Sequence, residues 1–202
     1  MRIIKLAESL RISDEVNGLY STAGSMPLSS AVSDLASVMA PHGIKWALCG
    51  GLALGVHARP RGTNDVDIVL KDESEVEQFI GFASSLFKKT REHAMVHRRT
   101  GVEVECLSPQ FLKINPGISS MAVDTANGSK VGNAVVPVVS REGLVAMKLC
   151  RGSDYDRGDI KSIIAFGGDV NLDGWPIDQK ATDLFNSIKS ELSSQHQLKD
   201  KT

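Results

Sequence analysis

Two aspartates that could bind a metal or take part in a reaction, Asp65 and Asp67, lie within the otherwise apolar run Asp-Val-Asp-Ile-Val-Leu. In a strand, side chains alternate between the two faces of the sheet, so both carboxylates would point one way and Val66 and Ile68 the other. Ionised carboxylates on one face repel each other, and burial increases the cost. A divalent cation between them would relieve that repulsion, and oxygen ligands suit Mg²⁺ or Mn²⁺ rather than Zn²⁺. The alternative is an edge strand with a solvated acidic face.

A glycine pair, Gly50 and Gly51, stands ahead of the aspartates, between a predicted strand and a predicted helix. Glycine at such a turn lets a ligand approach the backbone, and a helix N-terminus offers N–H groups that suit phosphate. Arg59 and Arg61 follow in a predicted loop with Thr63, and guanidinium groups bind phosphate oxygens bidentately. An ordinary tight turn with two solvated arginines would give the same pattern.

A third carboxylate is available from the segment Gly-Val-Glu-Val-Glu-Cys-Leu, where Glu103 and Glu105 would share one strand face. If this strand lies beside the aspartate strand, one glutamate joins the pair. Three carboxylates can hold two divalent ions about 3.5–4 Å apart, which is an arrangement for in-line nucleotidyl displacement. Strand alternation alone does not choose between the two glutamates.

A lysine and an acidic segment further along are weaker candidates. Lys148 lies in an otherwise apolar helix, where a lysine most often extends its ammonium to the surface. Asp156 and Asp159 lie where the next helix begins, and their spacing alone favours helix capping. Surface pairs with Arg151 and Arg157 would contribute little.

The elements that must position these groups alternate between strands and helices. We predict helices at residues 30–39, 51–58, 74–89, 141–150, 157–166 and 176–195, with a frayed tail at 196–202. We predict strands at residues 44–49, 65–70, 93–99, 101–107 and 134–139. Residues 108–133, rich in Pro, Gly, Asn and Ser, are predicted to be mostly loop with room for one short strand, and Pro137 favours a sheet edge or a strand terminus. This order predicts an α/β sheet layered with helices, followed by a small helical part.

Composition limits the class of protein. The chain has 202 residues, of which 42% are hydrophobic and 23% charged, which suits one globular domain with a helical appendage. The net charge of −1 gives no overall basic excess, although five Lys or Arg residues between Phe87 and Arg99 form either a basic strip for an acceptor or a solvated helix end and strand. No apolar run approaches the ~18 residues of a membrane span, and a signal-peptide core is missing. We expect a soluble cytoplasmic protein.

The cysteines and most histidines are expected to be structural. The cysteines lie in apolar segments without metal-ligand or disulfide spacing, which indicates buried, reduced thiols: Cys49, Cys106 and Cys150. Three histidines also lack ligand spacing, namely His57, His93 and His97.

Gly50-Gly51 followed by Arg-Gly-Thr-Asn-Asp-Val-Asp at residues 61–67 resembles the signature of the DNA-polymerase-β-like nucleotidyltransferase superfamily. The chain is most similar to the minimal bacterial branch that includes abortive-infection toxins of type IV toxin–antitoxin systems, in which a Lys-Leu helix and an acidic segment follow. The resemblance covers residues 44–165. It implies a small mixed sheet flanked by helices, with an N-terminal segment of uncertain structure at 1–28, a catalytic core at 29–139 and a helical part at 140–202.

The resemblance also implies roles for individual residues. The residues implied in catalysis and metal binding are Asp65, Asp67 and Glu105. Those implied in nucleotide binding are Gly50, Gly51, Arg61, Thr63, Lys148 and Asp159, with Asp156 as the alternative to Asp159. The third acid is Glu here rather than the family's usual Asp, which changes its reach.

The implied reaction moves a nucleoside monophosphate from an NTP to an acceptor hydroxyl, with Mg²⁺ or Mn²⁺ as cofactor and pyrophosphate as product. The acceptor would be RNA, such as a tRNA end, a protein or a small molecule, and an antitoxin-type partner is expected. The alternative is a non-catalytic module that uses the same fold to bind a nucleotide or a protein partner.

Overall fold

The computed structural model describes residues 27–59 and 61–199. Residues 1–26 of the N-terminal segment of uncertain structure lie outside the described residues, as do residues 200–202 of the tail. The α-helices of the described part are α1 (Pro27–Met39), α2 (Gly50–His57), α3 (Glu73–Phe82), α4 (Pro109–Leu112), α5 (Pro116–Asp124), α6 (Arg141–Arg151), α7 (Asp154–Gly167) and α8 (Gln179–Lys199). The strands are β1 (Trp46–Leu48), β2 (Asp65–Leu70), β3 (Phe87–Arg91), β4 (Ala94–His97), β5 (Glu103–Leu107), β6 (Asn127–Val131) and β7 (Ala134–Val138).

The strands form one mixed sheet in the order β3-β4-β5-β2-β1-β7-β6. Strand β2 pairs with β5 in parallel and with β1 in antiparallel orientation, and β1 pairs with β7 in parallel. The predicted mixed α/β sheet with a helical C-terminal part is therefore confirmed. No helix in the described ranges could span a membrane.

Strand β2 places its two ends in different environments. Val66, Ile68 and Leu70 lie fully buried on one face, and Val69 is fully buried on the other. Asp65, at the start of the strand, is exposed. Burial of a strand on both faces fixes its register strongly, because a slip by one residue would exchange the faces. The buried aliphatic residues thus hold β2 in register, and this fixes the position of Asp65 and Asp67 at the start of the strand.

The helix predicted at 74–89 is wrong at both ends. Asp72, rather than Ser74, is the N-cap, since its side chain accepts a hydrogen bond from the Glu75 backbone N–H, and the Ser74 hydroxyl donates to Asp72. At the other end, Phe87 is fully buried and opens β3, which pairs with β4 in an antiparallel hairpin. The hairpin outweighs the local helical pattern there.

The stretch 108–133, predicted to be mostly loop with one short strand, contains that strand as β6 and also two helices, α4 and α5. Ser108 and Asn115 cap the two helices, each followed by a proline at the first helical position. Proline suits that position, since its missing N–H would have no partner inside the helix. The prolines that favoured a loop therefore begin helices.

Of the two places expected for Pro137, the sheet edge is wrong, because β6 pairs along the other side of β7, and the position near the strand terminus agrees with the structure. Pro137 is tolerated as the penultimate residue of β7, where the pairing with β1 is at Val138 and the Val139 N–H donates to Leu48. Helix α8 runs to Lys199 rather than fraying after residue 195, and neither Gly nor Pro interrupts it.

Candidate active site

The pairing of β2 with β5 brings four carboxylates to one face of the sheet. Asp65 lies directly beside Glu103, and Asp67 directly beside Glu105. Paired residues on neighbouring strands point to the same face, so the strand adjacency expected from the sequence is present. The next strand, β4, continues this face with Ala94 beside Glu105.

The two glutamates differ in their partners. Arg91, on β3, forms an ion pair and a hydrogen bond with Glu103. In the described part of the chain, no cationic side chain forms an ion pair with Glu105. Its carboxylate therefore remains available beside Asp67, which favours Glu105 over Glu103 as the third acid.

The glycine pair leaves room for two side chains, that of Asp67 on β2 and that of Thr63 in the loop before β2. Gly50 adopts a left-handed φ of 59°, and a Cβ at this position would overlap with the Asp67 carboxylate. The backbone N–H of Gly51 lies near that carboxylate and slightly offsets the rise in its pKa. A Cβ at Gly51 would lie 2.8 Å from Oγ1 of Thr63, whose hydroxyl donates to Oδ1 of Asp65 at 2.5 Å. Both glycines thus let the aspartates and Thr63 pack against the start of α2.

The repulsion expected between the carboxylates is present. Burial, followed by the charges of Asp65 and Glu105, raises the pKa of Asp67 from 3.8 to about 6. Burial also raises the pKa of Glu105, with Glu103 and Asp65 adding to the rise. A cation would stabilise these ionised groups, and their all-oxygen chemistry fits Mg²⁺ or Mn²⁺. Across the described ranges, no three His, Cys, Asp or Glu side chains already converge as a metal-binding group.

A chain of alternating charges lies next to the carboxylates. Lys148 Nζ lies 3.3 Å from Oδ1 of Asp156 and 2.6 Å from Oδ2 of Asp159. Arg61 donates to both oxygens of Asp159 at 3.1 and 3.2 Å, and Arg151 donates to both oxygens of Asp156 at 2.8 and 2.5 Å. The order Arg61–Asp159–Lys148–Asp156–Arg151 ties the loop before β2 to α6 and α7. We call this set the ion-pair chain.

The ion-pair chain changes the interpretation of its members. Lys148 is 3% exposed and does not extend to the surface, because two carboxylates neutralise its charge inside. Asp156 forms a reciprocal capping box with Ser153, as the capping interpretation predicted. Burial raises the pKa of Asp156, but hydrogen bonds from Arg151 and Ser153 lower it to about 2 overall. Arg157 contacts Glu191 instead of the acidic segment.

A small cleft, open to solvent, lies between Asp67 and α6. Its polar side contains Gly50, Asp67, Lys148 and Arg151. The remaining lining is Cys49, Leu107, Leu112, Leu144 and Met147. These apolar lining residues could not be identified from the sequence, since Leu112 lies in the stretch predicted to be mostly loop and the others resemble ordinary core residues.

The histidines have structural partners. His57 Nε2 donates to the Val139 carbonyl at 2.6 Å and does not line the cleft. His97 contacts Asp34 and the Thr100 hydroxyl at 2.8 and 2.7 Å. These contacts agree with the structural roles expected for them.

The cysteines also match the expectation of reduced thiols. All three are free, with Cys49 and Cys106 buried and Cys150 partly buried.

Comparisons with known proteins agree with this architecture. The family model described as "Nucleotidyl transferase AbiEii toxin, Type IV TA system" matches residues 33–161, a range that contains every candidate site residue. No curated protein sequence matches the chain significantly.

Solved structures show a similar fold. The chain is similar to an antigenic nucleotidyltransferase-like protein from Paracoccidioides brasiliensis, with 23% identity, a TM-score of 0.56, and coverage of 83% of this chain and 90% of that one. The antibiotic-resistance factor ANT(2'')-Ia is a more distant neighbour, with 9% identity and a TM-score of 0.47 over 87% of this chain and 98% of its own. The first likeness shows the fold, and the second is too remote to support an argument.

Proposed function

Because the chain belongs to the nucleotidyl transferase AbiEii toxin family of type IV toxin–antitoxin systems and is a nucleotidyltransferase, we propose that it moves a nucleoside monophosphate from an NTP to an acceptor hydroxyl with the help of Mg²⁺ or Mn²⁺. The observation that carries this proposal is the pair Asp67 and Glu105, which lie side by side on parallel strands with raised pKa values. A fold gains nothing from two such carboxylates unless a cation or substrate relieves their repulsion.

In this proposal, Asp65, Asp67 and Glu105 hold the metal. When bound, divalent cations would supply the charge that activates the acceptor hydroxyl and neutralises the departing pyrophosphate. Thr63 orients Asp65 through its hydroxyl, and the close packing of Gly50 against Asp67 limits the positions that this carboxylate can take.

The NTP would lie in the cleft, with its phosphates at the polar side. The start of α2 at Gly50 and Gly51 offers the positive end of a helix dipole, which suits phosphate. Arg61 and Lys148 add positive charge, and Asp159 holds both in place. Asp159 would thus act by positioning these two cations, because a carboxylate repels phosphate.

The nucleoside would face the apolar wall of the cleft. Leu107 and Leu112 approach from the sheet and α4, and Leu144 and Met147 from α6. The cleft thus combines residues of the proposed core at 29–139 with residues of the proposed helical part at 140–202.

Charge on the neighbouring strands favours RNA among the three acceptor classes. Lys88 pairs with Val96, which pairs with Glu103, so the Lys88 side chain lies on the same face as the carboxylates. Arg91 reaches the same face through its contact with Glu103. Lys88 would attract a phosphate backbone, whereas the charge of Arg91 is already balanced by Glu103.

The family description also supports a partner. A type IV toxin–antitoxin system contains an antitoxin, and we propose that a neighbouring gene product relieves the growth defect that this enzyme causes. The cytoplasm is the proposed location, since the NTP substrate is found there.

The experiment incubates the protein with each α-labelled NTP, Mg²⁺ and total cell extract, then separates RNA, protein and small molecules. Label in one fraction, lost in Asp67→Asn and in chelator, is the expected result. Nucleotide binding without label transfer or pyrophosphate release in any fraction would instead indicate the non-catalytic module.

A further inference from the structure

Within the ion-pair chain, Arg151 is the residue that is exposed to solvent and also lines the cleft. Lys148 also lines the cleft, but it is 3% exposed and sits between two carboxylates. The Arg151 side chain is 54% exposed. Its charge lies close enough to Asp67 and Glu105 to lower the pKa of both.

The Arg151 guanidinium is held along one edge. Its Nε and Nη2 donate to the two oxygens of Asp156, and Asp156 is itself fully buried and fixed by Ser153 and Lys148. A guanidinium has five N–H donors in a rigid fork. Those two are the hydrogen bonds that Arg151 makes within the described part of the chain, so three donors remain for another acceptor.

We propose that Arg151 is a phosphate-binding residue of the nucleotide site, with its outer guanidinium edge binding the polyphosphate of the NTP. The inference rests on the proposed function, since it requires an NTP in the cleft. A guanidinium fixed in advance loses little side-chain entropy on binding, and its fork matches phosphate oxygens bidentately. Asp156 would act as the positioning residue for this fork.

A purely structural role makes a different prediction. Arg151 is in the last turn of α6, where a cation stabilises the helix through its dipole. Loss of that interaction would lower the melting temperature while leaving the affinity for phosphate unchanged.

The experiment measures calorimetric affinities for a non-hydrolysable NTP and for inorganic triphosphate in Mg²⁺. Arg151→Gln removes the charge, and Arg151→Lys keeps the charge without the fork. Arg157→Gln is the matched control, because it removes an arginine of the adjoining helix that contacts Glu191 instead. We expect Arg151→Gln to weaken both ligands about ten- to hundred-fold, Arg151→Lys to weaken them less, and the control to bind like the wild type.

The outcomes separate the two proposals. Wild-type affinity in Arg151→Gln, alongside clear binding by the wild type, would overturn the role of Arg151 and leave the proposed function standing. Failure of the wild type to bind any NTP would overturn both. If melting shows that Arg151→Gln is unfolded, Arg151→Lys decides: weaker binding of both ligands supports the proposal, and unchanged binding refutes it.

Discussion

Neutralising Asp67 should stabilise the metal-free protein while abolishing its activity. The pKa of Asp67 rises from 3.8 to about 6, mainly because the carboxylate is buried and secondly because of Asp65 and Glu105. One pKa unit corresponds to about 1.36 kcal/mol, so keeping this carboxylate ionised at pH 7 costs the fold about 3 kcal/mol. Asp67→Asn removes that cost without changing the shape of the side chain.

The pH dependence follows from the direction of the shift. An acid whose pKa is higher in the folded state binds more protons when folded, so stability falls as pH rises between the two pKa values. The cost is fully present above about pH 6 and absent below pH 3.8. The advantage of Asp67→Asn over the wild type should therefore be largest at pH 7 and disappear near pH 4.

Urea unfolding in chelator, at pH 7 and pH 4, measures this difference directly. Glu103→Gln is the matched control on the same face, because it leaves Asp67 ionised: it loses an exposed ion pair with Arg91, worth about 0–1 kcal/mol, and the repulsion between Glu103 and Glu105. If Asp67→Asn is less stable than the wild type at pH 7, the ionised Asp67 carboxylate does not destabilise the metal-free fold but serves it as a hydrogen-bond acceptor.

Three further substitutions test the rest of the site. Glu105→Gln should lower kcat far more than Glu103→Gln, because Glu103 already forms an ion pair with Arg91. The reverse ranking would assign the role of third acid to Glu103. Arg61→Ala should raise the Kd for a non-hydrolysable NTP about ten- to hundred-fold by calorimetry, and an unchanged Kd would remove Arg61 from the site. Gly50→Ala should abolish transfer and lower the melting temperature, since its Cβ would overlap with Asp67 at a left-handed φ; wild-type kcat in this variant would contradict that packing.

The sequence was informative where its pattern reflects a local rule. Alternation along β2 and β5 placed the carboxylates on one face, since the period of a strand does not depend on distant contacts. The start of α6 at residue 141 was likewise predicted, and Ser140 caps it, since its side chain accepts a hydrogen bond from the Gly143 N–H.

Long-range contacts left no such signal. Arg61 and Asp159 are 98 residues apart in sequence, and nothing local indicates that they pair. The same holds for Phe87, whose burial against distant residues overrides the helical pattern around it. Asn115-Pro116 did carry a local signal for a helix start, which the surrounding turn-forming residues obscured.

Metal-dependent nucleotidyl transfer at the Asp67 site can be tested by pyrophosphate release from each NTP, measured in Mg²⁺ and in chelator with an acceptor-containing cell extract. We expect release by the wild type in Mg²⁺, with none in chelator and none from Asp67→Asn. Release that persists in chelator or in Asp67→Asn would contradict a metal-dependent reaction at this carboxylate site.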